Sequence, residues 1–380
     1  MRTGYHIPFN RAAHFDTTFE YMHDAFDRGR ISGGGHYTRL CQQVLEQELG
    51  AARVLLTTSC THALEMSALL LDIQPGDEVI LPSFTFVSTA NAFALRGAKP
   101  VFADIDPATL NIAPDHVEAL ITPRTRALVP VHYAGVGCDM ERLGALAATH
   151  DIAVVEDNAH GLFGAYRGQM LGTFGAMATL SFHETKNFSC GEGGALIIND
   201  PAFAERAEII WEKGTDRRRF FRGEVDKYTW VDLGSSYLPS DVLAAMLWAQ
   251  LENRALIQQR RGDIWHTYET RLADWASVNA IQLPTVPDDR DQAYHLFYLL
   301  MPTLEARQAL IAHLKAQGIL SVFHYQPLHL SRMGRQFGGQ VGDCPVTEAV
   351  SDRLVRLPLY YGLTDAQQAA VIEAVQSFAC

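Results

Sequence analysis

A single lysine, Lys186, stands in the stretch "SFHETKNFSCGEGGA" (residues 181–195), between an apolar run and a glycine-rich turn. Three kinds of chemistry fit such a lysine at first sight. A zinc site on a helix needs H-E-x-x-H, so that two histidines share one face, and "HETKN" puts Asn187 where the second would be. A phosphate loop needs its lysine after the glycines, whereas Lys186 precedes Gly191, Gly193 and Gly194. The third is a lysine that binds a cofactor covalently. It requires a phosphate anchor nearby and a carboxylate to face a pyridine nitrogen.

Three other segments supply residues of those types. "TTSCTHAL" (57–64) is a small polar turn before a helical pattern, where backbone amides and the Thr61 hydroxyl can hold a phosphate at a helix N-terminus. "SFTF" (83–86) carries Phe86, an aromatic able to stack on a flat ring. "VVEDNAH" (154–160) ends an apolar run on Glu156 and Asp157. Each has a plainer role when taken alone. A threonine before a helix caps it, a phenylalanine belongs to a core, an aspartate at a strand end caps the next helix, and a lysine is solvated.

The elements that carry these residues alternate. "ARVLLTT", "DEVILPS", "KPVFADI", "TRALVPVHY", "IAVVEDNA", "AMATLSF" and "GALIIND" read as strands, and the segments after the first, second and fourth have helical periodicity. Continuous apolar strands alternating with helices predict an α/β fold with a mostly parallel sheet covered on both faces. Ligands of such sheets bind at the carboxyl ends of the strands, where all four segments fall. From about residue 239 a long helical pattern begins without Gly or Pro, followed by shorter strands and helices. This predicts a large unit over 1–250, with an N-terminal arm, and a smaller α+β unit over 251–380 joined by a long connecting helix.

Composition narrows the function classes. With 380 residues, 48% hydrophobic and 19% charged, the chain can bury large cores. A net charge of −12 argues against a general nucleic-acid binder. No apolar run approaches the ~18 residues of a membrane span, and the opening residues lack an apolar signal segment, so a cytoplasmic protein is expected. Six cysteines without C-x-x-C pairs read as reduced thiols rather than disulfides or metal ligands.

The order of these segments resembles the fold-type I, pyridoxal-phosphate-dependent nucleotide-sugar aminotransferases of the DegT/StrS type. The likeness spans nearly the whole chain, including "SGGG", "SCTHALEMSALLLDIQPGDEVILPSFTFVSTANAF", "VHYAG", "VVEDNAH", "SFHETKN", "GEGGA" and "FHYQPLH". Residues 208–241 are similar to the branch that forms dTDP-4-amino-4,6-dideoxygalactose for enterobacterial common antigen. The resemblance implies pyridoxal phosphate covalently bound to Lys186, with Asp157 facing the pyridine nitrogen. It also implies His160 near the ring, Phe86 stacked on it, and Cys60, Thr61 and Ser181 at the phosphate. Two positions depart from the family pattern. Cys60 replaces a common Gly, and "GSSYLP" puts Ser236 where an Asn usually reaches the partner subunit's phosphate.

The resemblance further implies a homodimer with shared sites, L-glutamate as amino donor and a sugar nucleotide as acceptor. The basic segment "KGTDRRRFFRGEVDK" (213–227), with Lys213, Arg217 and Arg219, is expected at the diphosphate, and His324 and Tyr325 are expected to close the site. The alternatives are amination of another sugar carbon, a related dehydratase, or a non-catalytic regulator. A dehydratase typically has His in place of Lys186, and a regulator predicts loss of Lys186 or Asp157. A dinucleotide-binding dehydrogenase would need G-x-G-x-x-G where "TTSCTH" stands.

Overall fold

The structure, a computed structural model, describes residues 5–379. Short apolar runs form the central sheet: β1 Arg53–Thr57, β2 Glu78–Pro82, β3 Lys99–Ala103, β4 Thr125–Leu128, β5 Ala153–Asp157, β6 Met177–Ser181 and β7 Gly194–Ile198. Their spatial order is β1-β7-β6-β5-β4-β2-β3. The pairs from β6 to β3 are all parallel, and β7 alone runs against its neighbours β1 and β6. That reversal has a local cause. β6 and β7 are the arms of a hairpin with Ser181 opposite Gly194, and the intervening loop carries Lys186.

Helices cover both faces. α1 Thr17–Asp27 and α2 His36–Leu49 precede β1, and α3 Cys60–Leu70 follows it. α4 Val87–Ala94, α5 Pro114–Leu120 and α6 Met140–His150 follow β2, β3 and β4, and α7 Ala204–Trp211 and α8 Arg217–Phe221 follow β7. Side-chain caps set the starts of several: the Ser59 hydroxyl accepts from the His62 amide at 3.1 Å, and Asp139 accepts from the Arg142 amide at 3.2 Å.

The long helical stretch after residue 239 is two helices, α9 Asp241–Glu252 and α10 Arg254–Val278. The break falls at Asn253 (φ −97°, ψ 19°), whose side-chain amide donates to the Ala249 carbonyl at 2.8 Å. An asparagine that bonds locally can end a helix without Gly or Pro. α10 runs between two cores: Ile257 packs with the cluster under the sheet, and Ile264, Trp265, Tyr268 and Leu272 belong to a second.

That second core is built on β8 Phe297–Leu300, β9 Val322–Phe323 and β10 Leu354–Leu357, an antiparallel sheet in the order β8-β10-β9. α11 Leu304–Ala316, α12 Arg332–Gln336, α13 Pro345–Arg353 and α14 Asp365–Gln376 complete this part of the chain.

Two buried aspartates tie distant elements. Asp104, just past β3, accepts from the Val346 and Thr347 amides at 2.9 and 2.8 Å, at the start of α13. Asp241 accepts from the Tyr37 and Thr38 amides at 3.2 and 2.8 Å, at the start of α2. A Cβ on Gly35 would lie 2.3 Å from the Asp241 carboxyl carbon, so this glycine of "SGGG" leaves room for the contact. The N-terminal arm, grouped by sequence with the large unit, reaches the second core: Ile7 is buried there, and its amide donates to the Gly318 carbonyl at 3.1 Å.

Candidate active site

A cavity of about 690 Å³ opens at the carboxyl ends of β5 and β6, between the main sheet, the N-terminal arm and the smaller sheet. Cys60, Thr61, Phe86, Asp157, His160, Ser181, Lys186, His324 and Tyr325 all line it.

Lys186 sits in the hairpin loop, and neighbouring contacts hold that loop in place. Phe182 and Cys190 are joined by a backbone bond of 3.0 Å, and the Glu184 amide donates to the Gly191 carbonyl at 2.9 Å. On one side of the loop, Gln250 accepts from the Ser189 amide at 2.9 Å and donates to its carbonyl at 2.6 Å. Asn187 donates to the Ala293 carbonyl at 2.6 Å and bonds His295 at 2.9 Å. The loop is therefore anchored at Asn187 and Ser189, and Lys186 lines the cavity.

Strand alternation separates the two acids that end β5. Glu156 points away from the cavity, accepts from the amides of Gly172, Phe174 and Gly175, and pairs with buried His132 at 2.9 Å. It holds a loop. Asp157 faces the cavity, accepting from the Thr89 hydroxyl at 2.8 Å and the Ala159 amide at 3.2 Å.

Burial dominates the electrostatics. It brings the Lys186 amine down to about 8, while Asp157 pulls it back up and Arg356 pushes it further down. Burial also raises the Asp157 carboxyl, against the Thr89 bond and the Lys186 charge. Each group is thus driven toward its neutral form. His160 is held well below the usual histidine range by burial and by Lys186. Its ring stacks on His295 at 4.1 Å, and its buried Nδ1 has no hydrogen-bond partner among the described residues.

The turn before α3 offers an anion cradle. The Thr61 and Ser88 hydroxyls are 2.7 Å apart, and Ser181 lines the same cavity. A Cβ on Gly194 would lie 2.4 Å from the Cys60 nitrogen, so this glycine lets β7 support the turn. Cys60 stays a thiol because burial pushes its pKa up. Phe86, the residue preceding α4, is 58% exposed at the cavity lip. On the far side His324 stacks on Tyr325 at 3.6 Å and bonds the Tyr133 hydroxyl at 3.1 Å.

Lys213, Arg217, Arg219 and Ser236 do not line this cavity. The basic segment runs through α8 and to either side of it, largely engaged with acids: Arg219 pairs with Glu205 and Glu224, and Lys213 approaches Glu212 at 4.0 Å. Arg217 lies over the rings of Phe221 and Tyr228. Ser236 is exposed, in a bridge with Glu212. Within one chain these four are separate from Lys186.

Residues 14–376 match the DegT/DnrJ/EryC1/StrS aminotransferase family. The chain belongs to that family. This aminotransferase is 36% identical over 336 residues, 86% of each chain, to the spore coat polysaccharide biosynthesis protein SpsC of Bacillus subtilis. It is similar in structure to the aminotransferase TlmJ from Streptoalloteichus hindustanus, at 31% identity and a TM-score of 0.89 over 98% of both chains. The PLP form of the putative sugar aminotransferase Spr1654 from Streptococcus pneumoniae shows 27% identity and a TM-score of 0.90, again over 98% of both chains.

Members of this family use pyridoxal phosphate. The residues of the aminotransferase fit that group. A buried amine, an acid whose charge burial leaves under-compensated, an imidazole with an orphan Nδ1 and a hydroxyl-lined helix start converge on one cavity. When bound, the cofactor supplies an electron sink for charge developing on the donor carbon. The chain's own contribution would be Asp157 holding a proton on the ring nitrogen and Lys186 moving a proton beside the reacting carbon. Sequence reasoning missed Phe9, Asn10, His295 and Arg356, which also line the cavity. Their order in the chain carries no signal, because they arrive from the arm and the smaller sheet.

Proposed function

We propose that this aminotransferase moves an amino group from L-glutamate to C4 of dTDP-4-keto-6-deoxyglucose, giving dTDP-4-amino-4,6-dideoxygalactose. In this reading Lys186 holds pyridoxal phosphate covalently and Asp157 keeps its ring nitrogen protonated. His160 and Phe86 flank the ring, and Cys60, Thr61 and Ser181 surround the phosphate. The observation that carries it is Lys186 itself, a fixed amine brought down to about 8 and facing Asp157 in one cavity. Amination of a sugar is supported by relatives described as a putative sugar aminotransferase and a polysaccharide biosynthesis protein. The C4 ketone is supported by the resemblance of residues 208–241.

The enzyme works as a homodimer in this reading, and Ser236, Lys213, Arg217 and Arg219 serve the partner's cavity. Next to them lies an apolar surface that a second copy would cover, with Phe221 62% and Trp230 74% exposed. His324 and Tyr325 belong to the cavity of their own chain.

The test is incubation with dTDP-4-keto-6-deoxyglucose and glutamate, followed by the product's proton NMR spectrum. An axial amine leaves H4 equatorial, so a small H3–H4 coupling is expected. A large coupling identifies the gluco epimer, and an amine at C3 another acceptor; either removes the substrate assignment.

A further inference from the structure

The start of α4 carries two threonines that do not cap it. Phe86 stands at the cap position and makes no side-chain cap. Thr85 and Thr89, four residues apart, place their hydroxyls 3.0 Å from each other, and the Thr89 hydroxyl donates to Asp157 Oδ2 at 2.8 Å. Both side chains line the cavity, yet at 2% and 0% exposure neither is open to bulk water. Asp157 Oδ1 accepts from the Ala159 amide at 3.2 Å. Lys186, His132, Cys60 and Tyr325 are titratable groups near this carboxyl, and among the described residues none of them hydrogen-bonds it. A hydroxyl has one proton to give, and that fixes the direction of the row. An ionised Asp157 can only accept, so the Thr89 proton goes to Oδ2 and the Thr89 oxygen accepts from Thr85. Every proton in the row is then bonded. A neutral Asp157 with its proton on Oδ2 reverses the row, and the Thr85 proton then finds no acceptor among the described residues. A proton on Oδ1 competes with the Ala159 amide, itself a donor.

We propose that Thr89, oriented by Thr85, is a positioning residue that holds Asp157 in its ionised form at the ring nitrogen of the cofactor. The inference rests on the assignment of Asp157 to that nitrogen. Burial drives this carboxyl toward its neutral form, and the Thr89 bond opposes that drive. Such a bond counts for more in a dry site than in water. A proton shared by a carboxylate and a pyridine nitrogen stays on the nitrogen only while the carboxylate is the weaker base. The two donors on Asp157 lower its basicity and so keep the proton on the ring. Without the Thr89 donor the pair shifts toward a neutral acid facing a neutral pyridine, which is a poorer electron sink.

The test loads wild type, Thr89→Val, Thr89→Ser, Thr85→Val and Asp157→Asn with pyridoxal phosphate isotopically labelled at the ring nitrogen, and records that nitrogen's NMR signal in each holoenzyme. Valine keeps the branched shape of threonine and removes the hydroxyl. Losing one hydrogen bond to a charged group predicts a proton balance moved by about 10- to 100-fold toward the neutral pair in Thr89→Val. Its signal should therefore move toward that of a neutral pyridine. The maximal rate of the glutamate half-reaction should fall with it, while the half-saturating glutamate concentration stays unchanged. Thr89→Ser keeps a hydroxyl and should retain the wild-type signal. Thr85→Val leaves the Asp157 contact in place and should move the signal the same way by less. A wild-type signal in Thr89→Val, with Asp157→Asn shifted, overturns the proposal and leaves the Asp157 assignment standing, even if the half-reaction is slower. A wild-type signal in Asp157→Asn as well removes that assignment and the proposal with it. Should Thr89→Val fail to retain the cofactor, Thr85→Val decides: a shifted signal supports the proposal, and an unshifted one overturns it.

Discussion

Lys186 differs from an ordinary surface lysine in what surrounds its amine. With its pKa brought down to about 8, half of the amine is neutral at that pH. An unperturbed lysine would be only about 0.4% neutral there. The neutral form is the nucleophile, so capture of pyridoxal phosphate by apoenzyme should fall as pH drops through 8 and level off above it. Stopped-flow absorbance would show this, with Lys186→Ala giving no covalent species. A midpoint near 10 would mean that burial does not tune the amine. Asp157→Asn keeps the shape and the Thr89 contact but loses the charge, so cofactor should bind while the glutamate half-reaction slows by several orders of magnitude. Near-normal turnover would remove Asp157 from the chemistry. Both residues were readable in the sequence because each ends or directly follows an apolar strand of a sheet whose ligand side is known. Arg356 was not. In "LVRL" it shares a strand face with buried Leu354, so alternation alone would place it in a core, and the cavity it lines is set by packing between the two sheets.

At the scale of elements, the hairpin of β6 and β7 links the lysine loop to the phosphate turn. Gly194 is the contact between them, and a methyl group there would meet both the Ser59 carbonyl carbon and the Cys60 nitrogen at 2.4 Å. Gly194→Ala should therefore cost about 1–3 kcal/mol in urea unfolding, the range for overpacking, and weaken cofactor binding in parallel. A variant as stable as wild type with unchanged cofactor affinity would show that the turn moves aside freely. The strands of the main sheet were legible as apolar runs bounded by polar turns, and the direction of β7 follows from the hairpin. The break at Asn253 was hidden because the helical pattern continues on both sides and the stop is a side-chain bond rather than Gly or Pro.

For the whole molecule, the sequence shows a change from strand–helix alternation to a long helical pattern, and the smaller antiparallel sheet of β8, β10 and β9 lies after that change. The crossing of the arm to Gly318 was not legible, since it depends on residues more than three hundred positions apart. The proposed sharing of cavities predicts complementation. Mixing Lys186→Ala subunits with Arg217→Ala/Arg219→Ala subunits gives hybrids in which one cavity has its own lysine and the partner's arginines. About a quarter of wild-type activity should then return after random exchange in a two-fold dimer. No recovery, with exchange verified by mass spectrometry, would place those arginines outside the shared site. The reversed strand also bears on how the chain is made. Among the described residues β1 has only β7 as a neighbour in the sheet, so it leaves the ribosome about 140 residues before the strand it pairs with. During that interval the "SCT" turn has no Gly194 beneath it, and the cofactor cradle stays unbuilt until the lysine hairpin has been synthesised. Under the proposed assignments, translation thus delivers the anchor for the phosphate first and the nucleophile later, and neither is usable without the other.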